Sequence, residues 1–287
     1  MRPIVDTHAH IYHADERRYP KIAEPLRPPE GSGDIEHLQR EMAAAGVTRA
    51  VLVQTGTAYK WDNRLLAETA RAQAAWATGV CTLDPAAEES VGELERLANE
   101  YNVRGLRMEP ARAPSQARAT FDHPGARRLW AAAERLGVVV CAHIQPRQDV
   151  TYIDQLADLL AAYPDVPVVL DHAAYPRAAE GVDSEIVGRV AALARYSNLH
   201  LKLSFAVTGS EEAYPFRDMH PILLRLIEAF RPERCTWGSD FPCELWLRGK
   251  ATYQQHLAVL AEELGLSEGD QAAILNETPM RIWFPDL

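Results

Sequence analysis

The chain has 287 residues, of which 47% are hydrophobic, and a formal net charge of −10. That length suits one α/β barrel, and the composition supplies a sizeable core. The acidic balance argues against nucleic acid as a partner, and no run approaches the ~18 uninterrupted apolar residues of a membrane span.

The start, "MRPIVDTHAHIY", turns polar too early for the apolar stretch of a secretory signal. The cysteines Cys81, Cys141, Cys235 and Cys243 are scattered without a CxxC pair. They read as reduced thiols, the first three inside strands, so a cytoplasmic protein is expected.

In chain order, the first β-rich run is "PIVDTHAH" from Pro3. A long loop rich in proline and charge, "YHADERRYPKIAEPLRPPEGSG", follows it. The helix "DIEHLQREMAAAG" has Asp34 as its N-cap and Gly46 as its stop. Strands are expected at "RAVLVQT" from Arg49, "ATGVCTLD" from Ala77 and "VRGLRMEP" from Val103. A helix starts near Asp122 and stops at Gly137. The runs "VVVCAHIQ" from Val138 and "VPVVLDHAA" from Val166 come next, then the helix "DSEIVGRVAALARYSN". "LHLKLS" from Leu199, the helix "MHPILLRLIEAF" and "CTWGSDFP" from Cys235 complete the alternation. A last helix is expected over "EGDQAAILNETPMRIW".

Eight strands alternating with helices predict a (β/α)8 TIM barrel with an extra C-terminal helix, one domain over 1–287. Several strands are nearly continuous apolar runs, as they are when both faces are covered. An open doubly wound sheet lacks support, because no GxGxxG opens the first helix.

In a barrel the C-terminal ends of the strands surround the active site. His8 and His10 end the first strand, Arg107 and Glu109 the fourth, His143 the fifth, His172 the sixth and Asp240 the eighth. All the strong polar groups therefore fall at one end. Alternate residues of a strand face one side, so the two first-strand imidazoles can ligate one metal through Nε2. A third histidine and a carboxylate from across the barrel complete a hydrolytic site, in which the aspartate takes a proton from water.

His37, His123, His220 and His256 lie in or near helices, and His200 sits at the wrong end of its strand; all five read as structural or solvated. His13 lies in the first loop, where it could touch a ligand, and it too reads as structural or solvated. Gln54, Thr55, Lys202, Ser204, Arg147, Tyr152, Tyr175, Arg17, Arg18 and Tyr19 fall near the mouth and read as solvated surface. Trp237 and Phe241 are expected to pack, and Trp246 to pack or line the mouth.

The motifs "DTHAH", "CAHIQ", "LDHAAYP" and "WGSDFP" resemble the amidohydrolase superfamily, a group of (β/α)8 hydrolases. Within it the chain looks most like the amidohydrolase-2 branch, and there most like the lactonases grouped with 2-pyrone-4,6-dicarboxylate lactonase, 4-sulfomuconolactone hydrolase and the sugar-acid lactonases. "LVQTG", "VRGLRM" and "LHLKLS" echo that branch, so the likeness runs from the first strand to the eighth.

The resemblance implies His8, His10, His172 and Asp240 as metal ligands, with Glu109 and His143 as further candidates. It makes Asp240, His172 and His143 catalytic, and Arg107 a holder of a substrate carboxylate. No lysine ends the fourth strand, which argues against a binuclear carbamylated-lysine site. In "DHAAYP" a glycine and an arginine common in related lactonases are missing, which weakens the case for a diacid substrate.

The function implied is opening of the lactone ring of a small carboxylated or polyhydroxylated compound. One divalent ion, with zinc favoured, is the implied cofactor; a metal-free route is known in the branch. The alternative is a metal-dependent nonoxidative decarboxylase of an aromatic or unsaturated acid. The partner is a small-molecule substrate, with no nucleic acid and no membrane; a homo-oligomer stays open.

Overall fold

A computed structural model describes residues 3–110, 120–145 and 150–286. Among the described residues, eight parallel strands follow one another in chain order. They are β1 (Ile4–Ala9), β2 (Val47–Val53), β3 (Ala77–Thr82), β4 (Val103–Met108), β5 (Val139–Ala142), β6 (Val168–Leu170), β7 (Leu199–Lys202) and β8 (Cys235–Thr236). The ring closes where the chain after β8 meets β1. The Thr7 amide donates to the Trp237 carbonyl at 3.0 Å and the Asp240 amide to the His8 carbonyl at 2.9 Å.

Helices α1 (Ile35–Ala45), α2 (Arg64–Ala72), α3 (Ser90–Glu100), α4 (Pro124–Leu136), α5 (Thr151–Ala162), α6 (Glu185–Ala192), α7 (His220–Phe230) and α8 (Tyr253–Ala258) each follow the strand of the same number. This is the (β/α)8 barrel that the alternation predicted. The α1 caps are as read: Asp34 accepts from the His37 amide at 2.7 Å, and Gly46 stops the helix in the left-handed region. Helix α4 is capped one residue later than Asp122, by His123, whose Nδ1 accepts from the Gly125 amide at 3.0 Å. Among the described residues no helix is long and apolar enough to cross a membrane.

One parity on each strand lines the barrel, and it changes character from bottom to top. On β5 and beyond, Val139 and Cys141 lead to His143; on β6, Val169 leads to Asp171; on β4, Gly105 leads to Arg107 and then Glu109. Strand β1 breaks the rule. A register irregularity between Asp6 and Ala9 lets Val5 pack in the apolar interior and His8 face the site, three residues on.

The bottom is closed by the chain's end. The expected last helix is present but widens: Glu268–Ala272 runs into a π-helical turn, Ala273–Glu277, and then α9 (Thr278–Trp283). Helix α9 delivers Trp283, fully buried, among Val5, Val51, Val53, Val80, Val139, Cys141 and Val169. A Cβ at Gly105 would lie 2.9 Å from the Trp283 ring and 2.7 Å from Val80, so the indole occupies space that only glycine leaves. All four cysteines are buried and free, three of them in strands as read.

Candidate active site

His8 and His10 project from the top of β1 with their Nε2 atoms 3.2 Å apart. Asp240 faces both, its Oδ1 3.7 Å from each Nε2. The turn after β6 supplies His172, whose ring centroid lies 4.7 Å from that of His8. Four successive residues, His172 to Tyr175, hold positive φ, as does Asp240. For non-glycine residues this is strained backbone, of the sort that clusters at functional sites. It turns His172 inward and stacks Tyr175 on it at 4.5 Å. Gly238 makes the approach of β8 to β1 feasible, since a Cβ there would sit 2.6 Å from His8 Cβ.

Beneath the histidines Arg107 joins a buried charge cluster that the sequence reading did not foresee. Asp171 accepts from Lys202 Nζ at 2.7 Å and from Arg107 Nε at 2.8 Å. Lys202 Nζ also lies 2.9 Å from His8 Nδ1. Lys202 and Ser204 are fully buried, which corrects their reading as solvated surface. Arg107 is buried too, and its Nε is engaged with Asp171, so only its outer guanidinium nitrogens remain for a ligand. Asp6, also buried and also overlooked, accepts from the His8 and Ser239 amides, from Ser239 Oγ at 2.6 Å and from Tyr253 hydroxyl at 2.9 Å. It ties β1 to the turn carrying Asp240.

The hydrogen-bond partners assign the imidazole tautomers. The Val53 carbonyl can only accept, so His10 donates through Nδ1, at 2.9 Å, and its Nε2 carries the lone pair that faces His8. The Lys202 ammonium can only donate, so His8 Nδ1 accepts and His8 carries its proton on Nε2, facing His10. Glu109 lies 2.6 Å from His143 Nδ1, so that ring donates to the carboxylate and its Nε2 accepts from Tyr175 hydroxyl at 3.2 Å. Ser204 Oγ holds His172 Nδ1 at 2.8 Å.

Electrostatics follow from this packing. Burial, with Lys202 behind it, keeps His8 well below the usual imidazole range, and burial with Arg107 nearby pushes His10 down to about 3. Burial also keeps His143 and His172 neutral-leaning. Burial alone would raise Asp171, but Lys202 and Arg107 together hold it well below the carboxylate range. Asp240 moves the other way, to about 7, because burial outweighs the attraction of Arg107. A carboxylate with that value sits where a general base works best near neutrality.

The donor set suits a divalent ion. His8, His172 and Asp240 each offer a ligand atom within 4.8 Å of the others. The 3.2 Å between His8 and His10 Nε2 is near the roughly 3.3 Å that two tetrahedral nitrogen ligands of one zinc ion subtend. His10 falls outside that group of three, as do Glu109 and His143, which are paired with each other.

A cavity of about 1060 Å³, lined by Arg177, Glu180, Arg248, Lys250, Tyr175 and Trp246, adjoins the site through the last two, which lie against His172 and His10. Trp246 lines this cavity, its ring 5.5 Å from that of His10, while Trp237 and Phe241 are fully buried packing residues. Tyr19 is buried, its hydroxyl bound to Glu68 of α2, and Gln54 and Thr55 are buried as well. Arg147 lies outside the described residues. Asp171 and Lys202 could have been found by parity: each continues the inward-facing row of its strand, two residues after Val169 and His200.

The likenesses to known proteins agree with this geometry. An L-fucono-1,5-lactonase from Burkholderia ambifaria is 27% identical over 244 residues, covering 83% of this chain and 80% of that protein. A 4-sulfomuconolactone hydrolase from Rhizobium radiobacter is 25% identical over 244 residues, 83% of this chain and 75% of its own. The fold matches that of a Pseudomonas putida protein assigned as a 2-pyrone-4,6-dicarboxylic acid hydrolase, with TM-score 0.80, 22% identity and 100% and 99% of the two chains covered. It also matches a Burkholderia multivorans amidohydrolase solved with bound zinc, with TM-score 0.74, 22% identity and 98% and 99% covered. The sequence profile of the amidohydrolase family spans residues 5–284. With eight strands in barrel order and histidines and an aspartate gathered at one end, this chain belongs to the amidohydrolase family.

Proposed function

We propose that the protein is a lactonase, opening the ring of a small carboxylated or polyhydroxylated lactone by attack of water. The observation that carries this reading is Asp240, a buried carboxylate pushed to about 7 and aimed at two neutral imidazoles. The curated relatives act on lactones of both chemical types.

Water enters between Asp240 and the lactone carbonyl. Asp240 takes its proton while the oxygen adds to the carbonyl carbon, giving a tetrahedral oxyanion. The ring C–O bond then breaks, and the proton on Asp240 passes to the departing ring oxygen, leaving a hydroxy acid. Arg107 presents its outer guanidinium nitrogens to a substrate carboxylate or to the developing oxyanion. His172, oriented by Ser204, lines the approach and polarises the carbonyl, while His143, fixed by Glu109, accepts from the Tyr175 hydroxyl and positions it there.

His8, His10, His172 and Asp240 would hold one divalent ion, zinc by their nitrogen-rich chemistry and by analogy with the zinc-bound Burkholderia multivorans protein. When bound, that ion supplies Lewis-acid polarisation of the carbonyl or of water.

The test is a panel of carboxylated and polyhydroxylated lactones, with acid release followed with and without chelator beside metal analysis. Ring opening of one class, lost in Asp240→Asn, supports the reading. No lactone turned over, with carbon dioxide released from an aromatic acid instead, would sink it.

A further inference from the structure

Metal-ligating histidines usually donate their second ring nitrogen to a carboxylate, a backbone carbonyl or water, which fixes the tautomer and strengthens the ligand. His10 conforms, through Val53, and His172 has the Ser204 hydroxyl. His8 does not. The atom nearest its Nδ1 is Lys202 Nζ at 2.9 Å, while the Asp171 carboxylate that would be the ordinary acceptor stands 3.7 Å away. Lys202 has taken that carboxylate for itself, at 2.7 Å.

A neutral imidazole has one proton. If Nδ1 accepts from an ammonium, that proton sits on Nε2, and Nε2 cannot ligate a cation as well. Binding a metal there breaks the Lys202 hydrogen bond and sets a buried ammonium against the incoming charge. Lys202 has no exposure to water, so little screening softens that opposition.

Two cationic side chains, Lys202 and Arg107, are already buried against the Asp171 carboxylate beneath His8.

We propose that Lys202 is a positioning residue that sets the cation affinity of the site, holding His8 as an Nε2–H donor and so keeping metal binding weak. This rests on the proposed cation set of His8, His10, His172 and Asp240.

The experiment is zinc titration of the chelator-stripped protein, wild type beside Lys202→Met, Lys202→Gln and Lys202→Arg, with thermal melts to confirm folding. The glutamine variant keeps a donor for Asp171 should the methionine variant fail to fold. The neutral variants should bind zinc at least tenfold more tightly than wild type, and the arginine variant should stay weak. Wild type binding zinc with folded neutral variants binding no tighter would overturn the role of Lys202 alone. Zinc binding by none of the four would overturn both that role and the cation set.

Discussion

The two ends of the barrel are built from the same strands yet organised by opposite physics. At the bottom, Val51, Val80, Val139 and Val169 surround the Trp283 indole, and burial of apolar surface does the stabilising. At the top, further along the inward-facing rows of β4 to β7, Arg107, His143, Asp171 and Lys202 are buried but polar. Buried ion pairs add little net stability, because desolvation offsets the attraction. The bottom therefore holds the fold, and the polar top adds little to it. Substitutions at the two ends should separate into different measurements.

The largest effect is expected at Asp240. Asparagine keeps the shape but cannot take the proton of the attacking water. Asp240→Asn should lower kcat by roughly 10²–10⁴-fold with little change in KM. The same variant should gain stability. The folded-state value of Asp240 is raised to about 7, above its value of ~3.9 in the unfolded chain, so ionisation is penalised only in the fold. Stability contributed by the protonated form is present below pH ~4 and is lost as pH rises through about 7. At pH 8, urea unfolding of Asp240→Asn should therefore report a gain on the order of a few kcal/mol. A variant that kept more than a tenth of wild-type kcat would move the role to another group.

Trp283→Ala should do the reverse. Removing a fully buried indole leaves a cavity lined by the valines and costs about 3–5 kcal/mol. Activity per folded molecule should stay within a fewfold of wild type, since the indole packs in the apolar cluster and not among the site's polar groups. A large fall in kcat for folded Trp283→Ala would break the division between the ends.

How much of this was legible in the sequence also divides along the barrel axis. The alternation of strands and helices, the caps Asp34 and Gly46 and the histidines at strand ends all follow local rules of period and capping. Asp171 and Asp6 were missed, and Lys202 was read as solvated, for one shared reason. A charged residue is read as solvated unless its partners are known, and those partners come from other strands. Lys202 meets Asp171 across 31 positions and His8 across 194. The irregularity in β1, which changes the parity between Val5 and His8, likewise depends on pairing with neighbours.

The pH profile sharpens the contrast. With Asp240 as base, only its ionised form works, so kcat/KM of chelator-treated enzyme should rise about tenfold per pH unit and level off above about 7. Asp171, held low by its two cations, contributes stability above the unfolded carboxylate value that is lost only as pH falls through its depressed folded value. Activity should thus fade on acidification well before the fold does. Coincident loss of activity and of near-ultraviolet circular dichroism would mean that the limb reports unfolding and not the base.

The smallest effect is expected at Ser204, fully buried at the top of the row that includes Lys202. Its hydroxyl lies 2.8 Å from His172 Nδ1, and the turn holding His172 has four successive residues at positive φ. Backbone of that kind persists only where its surroundings hold it in place, and this hydrogen bond is one of the restraints on the ring. Ser204→Ala removes a single neutral hydrogen bond, a loss of about 1 kcal/mol. If the bond acts mainly by orienting His172, the loss should appear as a roughly fivefold fall in kcat, with thermal stability nearly unchanged. If it acts mainly as packing, the melting temperature should fall and kcat should hold. Ser204→Thr retains the hydroxyl and should recover kcat in the first case, which separates orientation at the top of the barrel from the packing that governs its bottom.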